Sequence, residues 1–285
     1  VNDGVRGFDS FLISEIILKG EVAIENLIDK FSSSTGLKVD NIEHAINTVN
    51  LLFHTEKVNN KLEQIGIINK YEVVRYVDGK LFIGSSLNEA IKEPGFRDFI
   101  LDSCDFSYNT FLKKLNGNEI VDGFIRYEKY TRDDVQRILG WNKLHVAQNV
   151  GGYKISDDAS NCPIFVTYHK KDTITDTTKY EDKFLSSQLF SWMSKSNRTL
   201  ESKDVKIITA QKENNIRLPL FVKKSDDEGK AHYYIGELTL LDGSAEEKTM
   251  LSEGEKDIRV VNISSKIFSS ILSLIISSLT FKLLI

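Results

Sequence analysis

The sequence predicts an α+β fold in which helices come first and a strongly bent β-sheet follows. Through the first 120 residues apolar side chains recur at three- and four-residue spacing, and from residue 121 β-branched and aromatic runs replace them. In 285 residues, 41% hydrophobic and 10% aromatic content is enough for one large core or two ordinary cores. We therefore expect a helical domain at 1–120 and a strand-rich domain at 121–262.

The helical domain begins with three predicted helices, at 8–19, 22–34 and 40–53. In the second of them, Leu27 and Phe31 continue an apolar stripe with a helical period. Each stripe is narrow enough to indicate a helix with one buried face.

A hairpin follows these helices. In "YEVVRYVDGKLFIGS" the pair Asp78-Gly79 separates two strand-like runs, which is a strong short-range hairpin signal. Helices followed by a hairpin resemble a winged helix, and both a DNA-binding role and a role as a structural adaptor stay open. Further helices are predicted at 86–92, 96–102 and 106–116, before a linker at "NGNE".

The strand-rich domain contains four runs typical of strands, "VGGYKIS", "PIFVTYH", "IRLPLFVKK" and "HYYIGELTLL". One helix, with Thr131 as its N-cap, precedes them. Several strands with a single early helix favour a small, bent sheet or barrel. Alternation along "PIFVTYH" places Tyr168 on one face and Phe165 on the other, as expected where one face is core and the other lines a site.

The apolar end of the chain, 263–285, has about 15 uncharged residues between Lys266 and Lys282, fewer than the ~20 that span a bilayer. A packed terminal element or an altered reading frame is favoured over a membrane anchor. The chain starts at Val1 without a signal region, and Cys104 and Cys162 form no CxxC pair. A cytoplasmic fragment of a longer protein is expected.

Charge limits the possible partners. The net charge is −4. Residues 1–120, with 13 basic and 18 acidic side chains, have a net charge of −5, and the rest of the chain has a net charge of +1. Since no part of the chain is globally basic, any nucleic-acid surface must be a local patch.

Two catalytic patterns are weak. The spacing of His169, Lys171 and Asp176 fits a phospholipase-D-type nuclease, in which histidine attacks phosphorus, but a solvated strand end is commoner. A metal-dependent nuclease core could be assembled from acidic residues and a lysine, and a charged surface is again favoured. These residues are Asp157, Asp158, Glu181 and Lys183. We expect no catalytic residue, no bound metal and no cofactor.

One stretch mixes aromatic, hydroxyl and charged side chains without segregation: "TKYEDKFLSSQLFSWMSKSNRTLESKD". Proteins that read a single base take it out of the duplex, stack it on aromatic rings and contact its edge with a few polar groups. Tyr180, Phe190 and Trp192 could supply the stacking and Asp182 could accept from a cytosine amino group. The alternative is that Phe184, Phe190 and Trp192 are simply core.

The blocks "GFIRYEKYTRDDVQRILGW", "NVGGYK", "NCPIFVTYHK", "TKYEDKF", "FSWMSKSNRTL" and "LFVKKSDDEGKAHYYIGE" resemble, in this order, the C-terminal domain of bacterial modification-dependent (type IV) restriction enzymes of the SauUSI kind. The resemblance covers about 121–261. It implies an SRA-like domain of the PUA-like class, which binds 5-methylcytosine or 5-hydroxymethylcytosine in double-stranded DNA by base flipping. It also implies nuclease and helicase domains upstream, and makes the His169 spacing a coincidence. After "RVVN" this chain departs from its relatives, because the apolar tail replaces a strand and helix.

The resemblance and the residue types together predict the site. The predicted modified-base pocket consists of Tyr168, Thr178, Tyr180, Asp182, Phe190 and Trp192. The predicted DNA-backbone contacts are Arg126, Lys129, Arg132, Lys179, Lys195 and Arg198. The helix after Thr131 could also present its N-terminus to a phosphate. Two alternatives stay open: a stand-alone nuclease, and a protein-interaction module without DNA contact.

Overall fold

The computed structural model describes residues 5–39, 42–50, 72–121, 123–146, 150–169, 182–251 and 257–268. The chain forms two compact units. The first consists of 1–125 and 133–146, and the second of 126–132 and 147–285. The domain limits predicted at 120 and 262 stay predictions.

The first unit is mainly helical. In chain order its elements are α1 (Gly7–Lys19), β1 (Glu21–Ala23), α2 (Ile24–Thr35), α3 (Ile42–Val49), β2 (Val74–Val77), β3 (Lys80–Ile83), α4 (Ser85–Ala90), α5 (Pro94–Leu115), β4 (Ile120–Val121), β5 (Phe124–Ile125) and α6 (Arg132–Ile138). The strands β1, β3 and β2 form an antiparallel sheet in that order. This keeps the winged-helix-like order of helices followed by a hairpin.

The predicted hairpin is present as β2 and β3. Asp78 and Gly79 have φ values of 46° and 76°, so both turn residues are left-handed, as a two-residue type I′ hairpin turn requires. Asn50 fastens the start of the hairpin: its side-chain oxygen accepts from the Val74 amide at 2.8 Å, and its side-chain nitrogen donates to the Val74 carbonyl at 2.8 Å.

The two helices predicted at 96–102 and 106–116 are one helix, α5. No glycine or proline lies between Phe96 and Leu115 to end it. Cys104 and Phe111 continue its buried face across the predicted gap.

The second unit contains the larger sheet. Its elements are β6 (Lys129–Tyr130), β7 (Ile164–His169), β8 (Lys183–Ser186), β9 (Leu189–Met193), α7 (Lys203–Thr209), α8 (Gln211–Asn214), β10 (Pro219–Ser225), a 3-10 turn (Asp226–Glu228), β11 (His232–Leu240), β12 (Glu246–Leu251) and β13 (Asp257–Ile267). The sheet order is β7-β10-β11-β13-β9-β8, with β12 beside β13 and β6 beside β11. Only the β7–β10 pair is parallel among these described strands.

The sheet curls within β11. As far as Glu237 this strand pairs with β10, and from Leu238 it pairs with β13. Gly236 has φ +143°, and a Cβ there would lie 3.0 Å from the Phe268 carbonyl oxygen, so glycine permits the bend. The predicted α+β fold class is confirmed, and the curled sheet is consistent with an SRA- or PUA-like barrel.

Three details of the strand-rich part differ from the prediction. The run "VGGYKIS" is not a strand and forms only an isolated bridge from Tyr153 to Ile164, since Gly151 is left-handed at φ +57°. Two short helices, α7 and α8, accompany the predicted one. Residues 263–267, assigned to the apolar tail, continue β13, whereas 269–285 lie outside the described residues.

Candidate functional site

The second unit has a cavity of about 270 Å³ bounded by a glycine loop, the start of β7 and the end of β9. Its lining residues are Gly151, Gly152, Tyr153, Ile164, Phe165, Val166, Asp182, Trp192, Met193, Ser194 and Lys195. This volume is close to the lower end of typical small-molecule pockets, about 300 Å³. Aromatic walls with a few polar groups are the composition expected of a site for a planar ligand.

Trp192 forms one aromatic wall. It lies in β9 opposite Ile263 of β13, and it is 1% exposed. Its Nε1 donates to Oγ of the fully buried Ser265 at 3.2 Å, and the Tyr153 ring meets it edge-on at 5.7 Å. Because the indole N–H is satisfied on the core side, the ring has a fixed orientation, and it borders the cavity as part of the core.

Phe165 is a second aromatic wall. Its ring is stacked with Phe221 at 5.2 Å, and His232 meets its edge at 5.4 Å. The guanidinium carbon of Arg132 lies 4.8 Å from the Phe165 ring centroid, and Arg132 Nη2 donates to the Gly151 carbonyl at 3.3 Å. Arg132 therefore joins the aromatic wall to the glycine loop, and Phe165 is held by neighbours on several sides.

The cavity also has two charged side chains, Asp182 and Lys195. Asp182 Oδ1 accepts a hydrogen bond from the Met193 amide at 2.9 Å, which fixes the carboxylate beside the end of β9. Lys195 Nζ lies 5.0 Å from the Tyr153 ring centroid. Burial lowers the pKa of Lys195, and the charge of Lys154 lowers the pKa further. A partly dehydrated cation next to another cation attracts an anionic group strongly.

A network of hydrogen bonds centred on Asp204 holds the Tyr153 wall. Asp204 Oδ2 accepts from the Tyr153 hydroxyl at 2.9 Å and from Arg198 Nε at 2.8 Å, and the Lys195 amide makes a long contact, 3.4 Å, to the Tyr153 oxygen. Burial acts to raise the pKa of Asp204, but the hydrogen bonds from Arg198 and Tyr153 lower it overall. This Asp204 network positions Tyr153 and Lys195 together.

The glycine loop approaches the cavity closely. A Cβ on Gly151 would lie 3.7 Å from Lys195 Cε, and one on Gly152 would lie 3.9 Å from the Phe165 carbonyl oxygen. The Gly152 carbonyl accepts from the Phe165 amide at 2.7 Å. The left-handed φ of Gly151, rather than lack of space, is what restricts that position to glycine.

The structure brings part of the predicted site together. Asp182, Trp192 and Lys195 line the cavity. Arg132 reaches it through Phe165, and Arg198 belongs to the Asp204 network behind it.

The other predicted residues lie elsewhere. Phe190 is fully buried in the core, with its ring 4.8 Å from Phe184, and Tyr168 packs against Phe184 at 5.9 Å. Arg126 is 4% exposed, and Lys129 lies 3.7 Å from a carboxylate oxygen of Glu228. Thr178, Lys179 and Tyr180 lie outside the described residues.

The weak nuclease patterns gain no support. His169 ends β7, whereas Lys171, Asp176 and Glu181 lie outside the described residues. Asp158 accepts from the Ser160 amide at 3.0 Å and so closes a turn. Within the described ranges no group of three His, Cys, Asp or Glu side chains could hold a metal. In the same ranges no helix is long and apolar enough to cross a membrane.

Sequence reasoning missed four cavity residues in particular: Gly151, Gly152, Tyr153 and Phe165. Two signals could have found them. The paired glycines in "NVGGYK" predict close backbone approach better than a strand. The alternation of β7 places Phe165 on the face opposite Ile164 and Val166, so a cavity at the start of this strand can include an aromatic residue as well as the core-facing pair.

The second unit is therefore a curled-sheet α+β domain with an aromatic-walled cavity. A family model described as a domain of unknown function, DUF3427, matches residues 124–278, more than half of the chain. The chain belongs to this family. A search of curated proteins found no match.

Solved structures show distant similarity. The DNA modification-dependent restriction endonuclease AspBHI has 11% identity and a TM-score of 0.36, over 54% of this chain and 78% of that chain. The sulfur binding domain and SRA domain of ScoMcrA, complexed with phosphorothioated DNA, has 11% identity and a TM-score of 0.36, over 92% of this chain and 83% of that chain. A structure of the type IV phosphorothioation-dependent restriction endonuclease ScoMcrA has 11% identity and a TM-score of 0.34, over 93% of this chain and 52% of that chain. At these TM-scores the similarities carry no weight for function.

Proposed function

We propose that the second unit recognises modified DNA by taking one modified cytosine out of the duplex and into the 270 Å³ cavity. The observation that carries the proposal is the pair of fixed aromatic walls, Phe165 and Trp192, with Asp182 and Lys195 lining the same cavity. The sequence resemblance to modification-dependent restriction enzymes supports the same role. The unit would serve recognition in a type IV restriction system, and nuclease and helicase domains elsewhere in a longer cytoplasmic protein would supply cleavage and translocation.

Each group of cavity residues has a proposed role in binding the base. Stacking on an aromatic ring is worth about 1–3 kcal/mol per base, which offsets the few kcal/mol needed to unstack it. Asp182, fixed by the Met193 amide, would accept from the exocyclic amino group of cytosine. Met193 and Val166 provide apolar surface for a 5-methyl group or a 5-hydroxymethyl carbon.

Cations around the cavity would hold the DNA backbone. Lys195 lines the cavity, and Arg132 and Arg198 lie one contact behind its walls. Phosphate contacts of this kind give affinity without sequence information, and binding weakens as salt rises. Because a buried methyl contributes about 1 kcal/mol or somewhat more, discrimination against unmodified cytosine should be about tenfold.

The test is fluorescence anisotropy at fixed salt with three labelled duplexes that differ only in one base: cytosine, 5-methylcytosine or 5-hydroxymethylcytosine. A modified duplex should bind about tenfold more tightly than the unmodified one. Phe165→Leu and Asp182→Asn remove contacts that only an inserted base makes, so they should weaken binding of the modified duplexes more than that of the unmodified one and thereby reduce this preference. Lys195→Gln should weaken all duplexes by a similar factor. Lys212→Gln, at an exposed lysine that pairs with Asp242, is the matched control and should change nothing.

The outcomes separate the alternatives. Equal binding to all duplexes would reduce the unit to a general DNA contact. No binding to any duplex would favour a protein-interaction module. Cleavage of any of the three duplexes that His169→Ala abolishes would favour a nuclease and overturn the recognition role.

A second measurement uses tryptophan fluorescence to report on the cavity. The chain has two tryptophans, and the other, Trp141, belongs to the first unit. In a Trp141→Phe protein the remaining fluorescence comes from Trp192. A base that enters the cavity beside this ring should change the fluorescence of Trp192, so the modified duplex should quench it and free phosphate should leave it unchanged.

A further inference from the structure

The helix α5 of the first unit exposes a row of aromatic rings. Phe99 and Phe106 are 66% and 65% exposed, and Phe96 is 43% exposed. Phe99 and Phe106 are seven residues apart and so lie on one face of the helix, two turns from each other. The face of α5 with Cys104 and Phe111 is buried. Large exposed aromatics in a row are rare on a surface that has no partner.

Acidic side chains run beside this aromatic row. Asp98, Asp102 and Asp105 follow at spacings of four and three residues, and all three are exposed. Asp98 has the adjacent Arg97 at 3.8 Å. Within the part of the chain that the structure describes, Asp102 and Asp105 take part in no ion pair. Like charges four residues apart destabilise a helix, so repulsion among these aspartates destabilises α5, and a cationic partner would relieve that repulsion.

The chemistry of this face selects one class of partner. Carboxylates repel DNA phosphates and anionic lipid headgroups, which argues against a nucleic acid or a membrane. A second copy of the same face would place acidic rows against each other in a two-fold dimer. A protein helix with an apolar stripe flanked by lysines or arginines would bury the rings and pair with the carboxylates.

We propose that the exposed face of α5, defined by Phe96, Phe99, Phe106, Asp102 and Asp105, is a docking surface for a basic amphipathic helix of another protein or domain. The aromatic rings supply the apolar area that the partner buries, and the carboxylates select a basic partner and fix its position. The surface belongs to the first unit.

The probe is a fluorescent helical peptide of about 18 residues in which leucines recur at i, i+3, i+4 and i+7 and lysines fill the flanking positions. A peptide with glutamate in place of lysine is its control. Binding to the full chain is measured by anisotropy. Phe99→Ala/Phe106→Ala should weaken binding of the lysine peptide by about tenfold or more. Asp102→Asn/Asp105→Asn should weaken it severalfold at low salt, and this difference should vanish at high salt. Leu185→Ala, at an exposed leucine of the second unit, should have no effect.

Several results would overturn the proposal. One is equal peptide binding by wild type and the Phe99→Ala/Phe106→Ala protein. Another is equal binding of the lysine and glutamate peptides. A third is a wild-type dimer in sedimentation that Phe99→Ala/Phe106→Ala dissociates, because the occupant would then be a second copy. Circular dichroism of each variant checks that the helical content of the chain is unchanged.

Discussion

Replacement of Trp192 by phenylalanine separates packing from hydrogen bonding at the cavity wall. Trp192→Phe keeps an aromatic ring in the core but removes the donor to Ser265, which lies at 3.2 Å and is fully buried. Loss of that bond costs about 1–3 kcal/mol because the hydroxyl is left without its donor. The smaller ring also leaves a void, which adds about 1 kcal/mol. We expect the second unit to lose about 2–4 kcal/mol of its free energy of unfolding.

The assay is hydrogen–deuterium exchange of the backbone amides in β9 and β13, because it resolves one unit from the other. Amides of α1 and α5 in the first unit are the internal reference and should not change. Trp141→Phe is the matched control, since Trp141 is 6% exposed and lies in the first unit.

A double-mutant cycle makes the reasoning refutable. Ser265→Ala leaves the indole N–H of Trp192 without an acceptor, so it should cost about 1–2 kcal/mol. Together, Trp192→Phe and Ser265→Ala should cost less than the sum of the single changes by about 1 kcal/mol or more. Strictly additive effects, or unchanged exchange in β9 with Trp192→Phe, would show that this hydrogen bond does not hold the wall.

Three further predictions concern the rest of the chain. Because the folded chain lowers the pKa of Asp204, the charged carboxylate stabilises the fold above about pH 3.9, and this contribution is lost as pH falls through the lower pKa of the folded state. Asp204→Asn should therefore destabilise the second unit by about 1–2 kcal/mol at pH 7. In urea unfolding, the difference between wild type and variant should shrink below about pH 4. Gly79→Ala should cost about 1 kcal/mol because φ is +76° there, whereas Gly95→Ala in the first turn of α5 should not destabilise; thermal unfolding of both variants checks this. Burial raises the pKa of Cys104 to about 11 and also raises the pKa of Cys162, so both thiols should react with an aromatic disulfide at pH 8 far more slowly in the folded chain than in urea.

Elements with a strong local signal were predictable. The hairpin at Asp78-Gly79 and the helix after Thr131 depend on turn chemistry and capping, which act within a few residues. The short helix α7 was missed, since it spans only 7 residues and its Val205 and Ile208 bury against distant strands. The helix α6 is equally short, but the Thr131 capping signal marks its start in the sequence.

The candidate site was harder to predict than the fold, because its walls come from segments far apart in the chain. Trp192 and Phe190 are two residues apart on the same strand and look equivalent in the sequence. Only Trp192 lines the cavity, whereas Phe190 is enclosed by the core. The choice depends on where Tyr153 and Phe165 lie across the cavity, and that is set by the curvature of the sheet rather than by any local pattern.

This double role of Trp192 decides how recognition should be tested. Its ring is at once a wall of the cavity and part of the core, so Trp192→Ala should cost about 3–5 kcal/mol and would abolish DNA binding even if the cavity had no function. Phe165→Leu conserves most of the buried volume, and Asp182 contributes a single carboxylate at the edge of the cavity. Loss of base preference at these two positions, with amide exchange in β9 unchanged, can arise only from the cavity itself. Loss of base preference together with faster amide exchange in β9 would instead show that the variant has lowered the stability of the second unit.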